Sequence, residues 1–368
     1  PDLVAFGELP VASQGRVKPL DTLARDSLKA LSNNRQTFKD GDEKAPAIRW
    51  LLEFIASPAK GAERRVVRID NDELLSVLEL PLDRKDHMYS VAEVSKAVPA
   101  LAKRTDEVRE KSRKGEGLSA GDRAALELER KVGVIDLLLT AFQPSREAME
   151  GGVPALQSYM QRYRVLKFGD MTREIPSRNP PLAVYYQDIG QKERNWETLG
   201  HAQLVEGLLA WAASRTGERH EIAAPVAAWT EILDAWNKND VAGFNAAVKR
   251  YRESLEADPP KGYAPAKVDF EAYFNHAAPF YYLMIPYVVA ALLAACSWLG
   301  WSRPLNRTAF WLVVMTFVLH SFALAGRIYI SGRPPVTNLY SSAVFIGWAA
   351  VAFGIVLERV FRLGFGNV

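Results

Sequence analysis

Three side chains able to do chemistry recur at intervals of four and seven residues inside an otherwise apolar stretch: Thr316, His320 and Arg327. On a helix of ~3.6 residues per turn these steps bring all three onto nearly one face. A bare imidazole costs free energy in hydrocarbon, so an ionisable residue at such a depth faces protein, water or a cofactor rather than lipid. At ~1.5 Å per residue, His320 and Arg327 stand about 10 Å apart along the axis. That separation suits a metalloporphyrin beside the helix, with His320 on its metal and Arg327 pairing with a propionate. The spacing equally allows His320 to bond to a neighbouring helix while Arg327 extends to the headgroups. Both readings stay open at this stage.

The segment that follows, residues 331–338 (SGRPPVTN), combines a flexible glycine, a stiff diproline and an N-cap at Thr337 or Asn338. It is expected to hold Arg333 at a fixed place above the membrane. His276, in FNH at the membrane entrance, is a candidate second ligand, with an interfacial structural role as the alternative. His87, His201 and His220 fall in no metal-ligand spacing such as HxxxH or HExxH and read as surface or satisfied structural histidines. Arg16, Lys18 and Asp21 carry the same structural default. No nucleophile–base constellation is visible, so no catalytic residue is assigned.

The elements that must position these residues are three apolar runs, at about 279–301, 308–330 and 338–357, each close to the ~20 residues that cross ~30 Å of hydrocarbon. Phe280, Tyr281, Tyr282, Trp298, Trp301 and Trp311 crowd their ends, where aromatic rings mark the interfaces. The predicted fold class is mainly α: a helical extracytoplasmic domain followed by three transmembrane helices. Arg303 and Arg307 are expected in the connection between the first two spans, and Arg359 and Arg362 after the third. Positive charge in short loops stays cytoplasmic, which puts the large N-terminal region outside. The expected location is therefore the cytoplasmic (inner) membrane, multi-pass, with residues 358–368 as a cytoplasmic tail.

Mean hydropathy near zero averages a charged region with an apolar tail. A net charge of +3 gives no reason to expect nucleic acid as a partner. The single cysteine, Cys296, lies inside the first span, so the polar region must be stabilised by packing alone. No CxxCH is present, so the chain is not itself a c-type cytochrome. Pro1 is not an initiator, and no export signal precedes the polar region, so the chain is expected to be an excerpt of a longer polypeptide.

Residues 1–262 read as one mainly helical domain, with a possible subdivision near 143–198, and 263–278 as a membrane-proximal linker. Helix starts are predicted at Asp70–Glu73, Ser90–Glu93 and Ser119–Asp122, where a capping side chain precedes a carboxylate by three residues. Residues 64–70 (RRVVRID) form the best strand candidate. A charged helical hairpin is expected from Ser90 to about Phe142, broken at Gly115-Glu116-Gly117, with acid–base runs over 103–131 as solvated faces. The stretch 143–198, with Pro144, Pro176, Pro180 and Pro181, reads as irregular. Helices follow at about 199–214, 225–238 and 241–256, the last capped by Asp240, with Trp211, Trp229, Trp236 and Phe244 as their shared core.

Residues 327–342 (RIYISGRPPVTNLYSS), followed by Phe345, Ile346, Gly347 and Trp348, resemble the RWYxSGHxPxSNxYES-x-x-F-x-x-W signature of CcsA (ResC) cytochrome c biogenesis proteins. Residues 10–22 (PVASQGRVKPLDT) resemble a GR(V/I)KPLDT segment of the extended extracytoplasmic region in some of them. The resemblance implies system II cytochrome c maturation: a subunit that binds haem b as its transported substrate and delivers it for attachment to apocytochrome c, within a cytochrome c synthetase complex. The implied partners are a CcsB/ResB-type subunit or fused domain, apocytochrome c, haem and the lipid bilayer. Histidines ligate haem in that family, which makes His320 the candidate ligand, with Arg327, Arg333 and His276 as further cofactor-binding candidates. This chain departs from the signature at Ser341, where the family has Glu, and at Arg333, where it has His. The family's tryptophan-rich WWD loop is absent. The rival readings are a membrane-anchored structural or sensor module, or part of a transporter, without haem.

Overall fold

The structure, a computed structural model, describes every residue except 42, 170–178, 190–191, 301, 337–338 and 362–368. The expectations for Trp301, Pro176, the Thr337 or Asn338 cap and Arg362 lie outside the described residues. The protein is mainly helical and divides into two units, Pro1–Val268 and Asp269–Val368.

In the first unit, helix starts follow the chemistry of their caps. Ser90 and Glu93 exchange hydrogen bonds in a capping box that opens Val91–Arg113, and Ser119 and Asp122 do the same for Ala120–Phe142. These two helices form the charged hairpin. Ion pairs such as Arg104–Asp122 at 2.9 Å and Arg109–Glu129 at 2.6 Å run along it. Asp122 and Lys131 are nonetheless buried, Lys131 donating to the Arg68 carbonyl at 2.7 Å, so these faces are only partly solvated. The cap of Asp72–Val77 is Asn71, one residue later than expected, because its side chain and not that of Asp70 reaches the Leu74 amide.

The strand expected at 64–70 is Arg65–Arg68, paired antiparallel with Met88–Ser90. Among the described residues three further two-stranded pairs are present: Pro10–Ser13 with Arg16–Pro19, Thr37–Asp40 with Glu43–Pro46, and Val184–Tyr186 with Asn195–Glu197. The described residues of the segment expected to be irregular include two helices, Arg146–Glu150 and Gly152–Phe168. Only Tyr163 is buried in the longer one, so its sequence carries little of the apolar periodicity that marks a packed helix.

The core of this unit centres on Trp229, which meets Phe6, Phe142 and Tyr251 at ring separations of 6.1, 6.2 and 5.8 Å. Such aromatic contacts add to the area they bury. Helix Leu3–Gly7 is tied to Val241–Ala257 by the Asp2 amide on Asn245 and by an Arg252–Glu8 ion pair, closing the N-terminus onto the end of the unit. Trp211, expected in the same core, is 60% exposed and lies under the guanidinium of Arg215 instead.

In the second unit three helices have the length and composition to cross a membrane: Pro279–Leu299, Ser302–Ser331 and Leu339–Phe361. The second starts earlier than expected, so Arg303 and Arg307 sit in its first turns and not in a connection. Residues expected to be a linker form a further helix, Pro265–Ala277. The first and second spans pack most extensively; Leu299, Leu339, Val360 and Phe361 remain largely exposed, as lipid-facing residues would.

Candidate functional site

His320 projects from the second span and is 9% exposed. Phe280 and Tyr287, from the first span, pack edge-on against its ring at 5.7 and 6.0 Å between centroids. The Tyr287 hydroxyl lies 3.3 Å from Nδ1. Nε2 is buried and has no hydrogen-bond partner among the described residues. An imidazole held at one nitrogen and bare at the other is how metal-ligating histidines are oriented by a neighbouring group.

The surroundings of His320 are built by close helix approach. Gly326, about one and two-thirds turns beyond His320, faces Phe270 and Phe274; a Cβ there would lie 3.1–3.3 Å from their ring atoms. Phe274 packs on Phe280 at 5.9 Å, and Phe280 on His320, so an aromatic wall runs from Pro265–Ala277 to the imidazole. Across the second and third spans, Trp348 donates its indole N–H to Ser321 Oγ at 2.8 Å and stacks on Phe317 and Phe345. This interhelical bond fixes the register of the third span next to the His320 turn.

Thr316 is buried, but its hydroxyl bonds back to the Leu312 carbonyl at 2.7 Å, satisfying itself within its own helix. Arg327 is half-buried with its guanidinium 5.3 Å from the centre of the Tyr340 ring, which opens the third span. Arg333 is exposed, its backbone knotted to the Ser331 hydroxyl on both sides. His276 is exposed and donates Nδ1–H to the Ala272 carbonyl at 2.8 Å. No hydrogen bond or ring contact joins His276, Arg327 or Arg333 to His320. The structure thus brings His320 together with Phe280 and Tyr287, and the other three candidates each have contacts of their own.

No family model matches the chain. Over 82 residues it is 28% identical to Protein HemX of Bacillus subtilis (strain 168), a match covering 22% of this chain and 30% of that protein. The chain thus spans less than a third of the length of the curated relative it matches.

Tyr287 was not singled out from sequence; the available signal was a phenol inside an apolar run, where a buried O–H needs a partner. Gly326, Ser321 and Trp348 depend on which helix faces which, and a single sequence does not carry that.

The first unit holds a second concentration of buried polar groups. His201, 1% exposed, lies 3.2 Å from Asp188 Oδ2 and stacks on Tyr163 at 4.3 Å. Glu197 accepts from the Tyr163 hydroxyl, the Thr198 amide at 2.9 Å and Lys167 Nζ at 2.5 Å. Burial, reinforced by the Glu197 charge, pushes the Tyr163 phenol far up, so it stays a donor. Burial raises the Asp188 carboxyl, but the hydrogen bond and charge of His201, the Ile189 amide and the charge of Lys167 together outweigh it and leave the group lowered. Asp188, Glu197 and His201 bring ligand atoms within 4.8 Å of one another, but every oxygen of Glu197 already has a donor and a lysine ammonium sits on one of them. The cluster is a satisfied structural network.

Proposed function

We propose that this chain belongs to a haem-handling membrane protein of cytochrome c maturation, receiving haem as substrate within the bilayer and passing it on for attachment to apocytochrome c outside the cytoplasm. The observation that carries this reading is the buried, unpartnered Nε2 of His320. With Nδ1–H donating to Tyr287, Nε2 presents its lone pair, as an axial ligand to iron requires. The motif resemblance at 327–348 and the partial likeness to Protein HemX support a tetrapyrrole-related role and are independent of that geometry.

In this reading the chain's residues position and do not transform. His320 supplies the ligand, Tyr287 sets its tautomer, and the aromatic wall excludes water. Arg327 and Arg333 offer guanidinium groups to carboxylates, Arg327 exchanging its Tyr340 ring contact for an ion pair. His276 is the remaining imidazole of this unit and would serve as a second ligand only after leaving the Ala272 carbonyl. In this reading the end of the spans that carries Arg303, Arg307 and Arg359 would face the cytoplasm, since positive charge near span ends favours that side, and the first unit would lie outside, where it would meet a CcsB/ResB-type partner or apocytochrome.

The test is spectroscopic. The full chain purified in a mild detergent should carry a Soret band; His320→Ala should abolish most of it, and Tyr287→Phe should weaken haem affinity by about 10–100-fold. A wild-type preparation that stays colourless when supplied with haem, or a His320→Ala protein with an unchanged Soret band, would count against the assignment.

A further inference from the structure

The haem reading leaves residues 10–22 unexplained. The structure shows them as an antiparallel hairpin, Pro10–Ser13 with Arg16–Pro19, whose tip residues Gln14 and Gly15 both have positive φ, 54° and 79°. This is the two-residue turn that matches strand twist, and glycine suits its second position. Ala12 bonds to Leu182 in both directions at 2.9 Å, anchoring the hairpin to the second half of the unit. Lys18 and Asp21 point inward: the Lys18 side chain, 2% exposed, reaches Asp26 at 3.3 Å, and Asp21 binds Arg25 at 2.6 Å. The KPLD part of the motif is therefore structural, whereas Arg16 at the tip borders a cleft.

That cleft has a volume of about 550 Å³, inside the range of roughly 300–1,000 Å³ for small-molecule sites. Four of its lining side chains are cationic, Arg16, Lys167, Lys261 and Lys267, the first, second and fourth also engaged with other groups of the chain, and none of the described lining residues is Asp or Glu. Lys167 shares its charge with Glu197 behind the wall. An aromatic surface faces these cations. Trp196 is held by its indole N–H on the Lys261 carbonyl at 3.1 Å, and Phe168, 67% exposed, lies 5.1 Å from Lys167 Nζ. Charge of one sign in a concave site raises the local concentration of the opposite sign, and a large exposed aromatic at its rim offers apolar area to whatever enters.

We propose that this cleft binds a small organic anion, a carboxylate on a flat apolar body, with the cations gripping the carboxylate and Trp196 and Phe168 covering the body. The proposal is independent of His320. It predicts a ligand that needs both halves: an alcohol of the same shape lacks the charge, and a bare inorganic anion lacks the surface for the aromatic wall.

Equilibrium dialysis of the full chain in a neutral detergent, with 2-naphthoate as probe and empty micelles as reference, tests it. One saturable site is expected for the carboxylate, weakening with added salt, with naphthalene-2-methanol at least tenfold weaker. Lys261→Glu combined with Lys267→Glu should weaken 2-naphthoate by about tenfold or more, since each reversal replaces attraction by repulsion at short range. Lys249→Glu, at a lysine that is 77% exposed and outside the cleft, should bind as wild type. Should the double variant melt early, Lys261→Glu alone, at an exposed position, is compared instead with a severalfold loss expected. No saturable uptake above micelles, equal binding of the alcohol, or unchanged binding by the folded variants would overturn the proposal. Soret absorbance measured on the same samples reports separately on His320.

Discussion

Replacing Lys167 by methionine removes the ammonium that sits 2.5 Å from Glu197 Oε2, where the lysine and glutamate side chains are only 11% and 3% exposed. Stripping one partner from a buried pair typically costs about 3–5 kcal/mol, because the other charge remains without compensation. Here the loss should fall near the lower end, about 3 kcal/mol, because the Tyr163 hydroxyl and the Thr198 amide still donate to the carboxylate. Glu197→Gln keeps the shape and removes the charge. Lys167, which lines an open cleft, can then turn to water, so that variant should lose only about 1–2 kcal/mol. If the two groups act as a pair, the double variant costs less than the sum of the singles, with a coupling of about 2 kcal/mol. The assay is hydrogen–deuterium exchange of peptides from Gly152–Phe168 and Leu199–Thr216 in the full, detergent-held chain, which reports opening of the two helices this network joins. A Lys167→Met loss below about 1 kcal/mol, or strictly additive singles, would falsify the claim that this ion pair anchors the Gly152–Phe168 helix.

Two further perturbations read out other parts of the fold. Glu93 is lowered from the ordinary 4.5 to about 2, chiefly by the hydrogen bonds of Arg84, with burial opposing and the Ser90 backbone assisting. A carboxyl lowered on folding contributes stability that is complete above its unfolded pKa and is lost as pH falls toward the folded one, so Arg84→Met should destabilise at pH 7 by about 1–2 kcal/mol after allowing for solvent screening. The gap between variant and wild type should close between pH 4.5 and about 2, measured by thermal melts, and a gap that persists there contradicts the assignment. In the membrane unit, Gly326→Val pushes a branched side chain against Phe270 and Phe274, which should cost about 1–3 kcal/mol and shift the wall that packs on His320. The check is a lowered melting temperature together with reduced haem uptake, and wild-type values for both would show that the helix approach is looser than the contacts imply.

The parts of this fold that sequence discloses are those with a local cause. Spans disclose themselves because each is a long apolar run with at most one charge, Arg327 in the second, and the hairpin 91–142 because Ser90 and Ser119 each precede a carboxylate by three residues and then satisfy both orphan amides. The helix Gly152–Phe168 is hidden because Met160 and Phe168 are exposed, so hydrophobicity does not follow its packed face. The Pro10–Pro19 hairpin is hidden because its inward residues include a lysine, Lys18, whose burial depends on Asp26. Trp211 misleads for the converse reason: a tryptophan is apolar enough to suggest a core, yet a guanidinium stacked on it suffices at the surface. At the membrane site, His320 was legible as an imidazole in an apolar run. Tyr287 was not, because its relation to His320 rests on the register between two helices.

That register is what gives the histidine its meaning. Thr316, Ser321 and Ser297, hydroxyls of the spans, bond to carbonyls of their own helices and cost the bilayer little. The imidazole has no such recourse. If Nδ1 donates to Tyr287, Nε2 is a bare lone pair; if Nδ1 accepts from the phenol, Nε2 carries a proton with no acceptor. Either tautomer leaves one buried polar atom unmatched, at about 1–3 kcal/mol. On the proposed reading, a metal ion would satisfy Nε2 while leaving the Tyr287 bond intact.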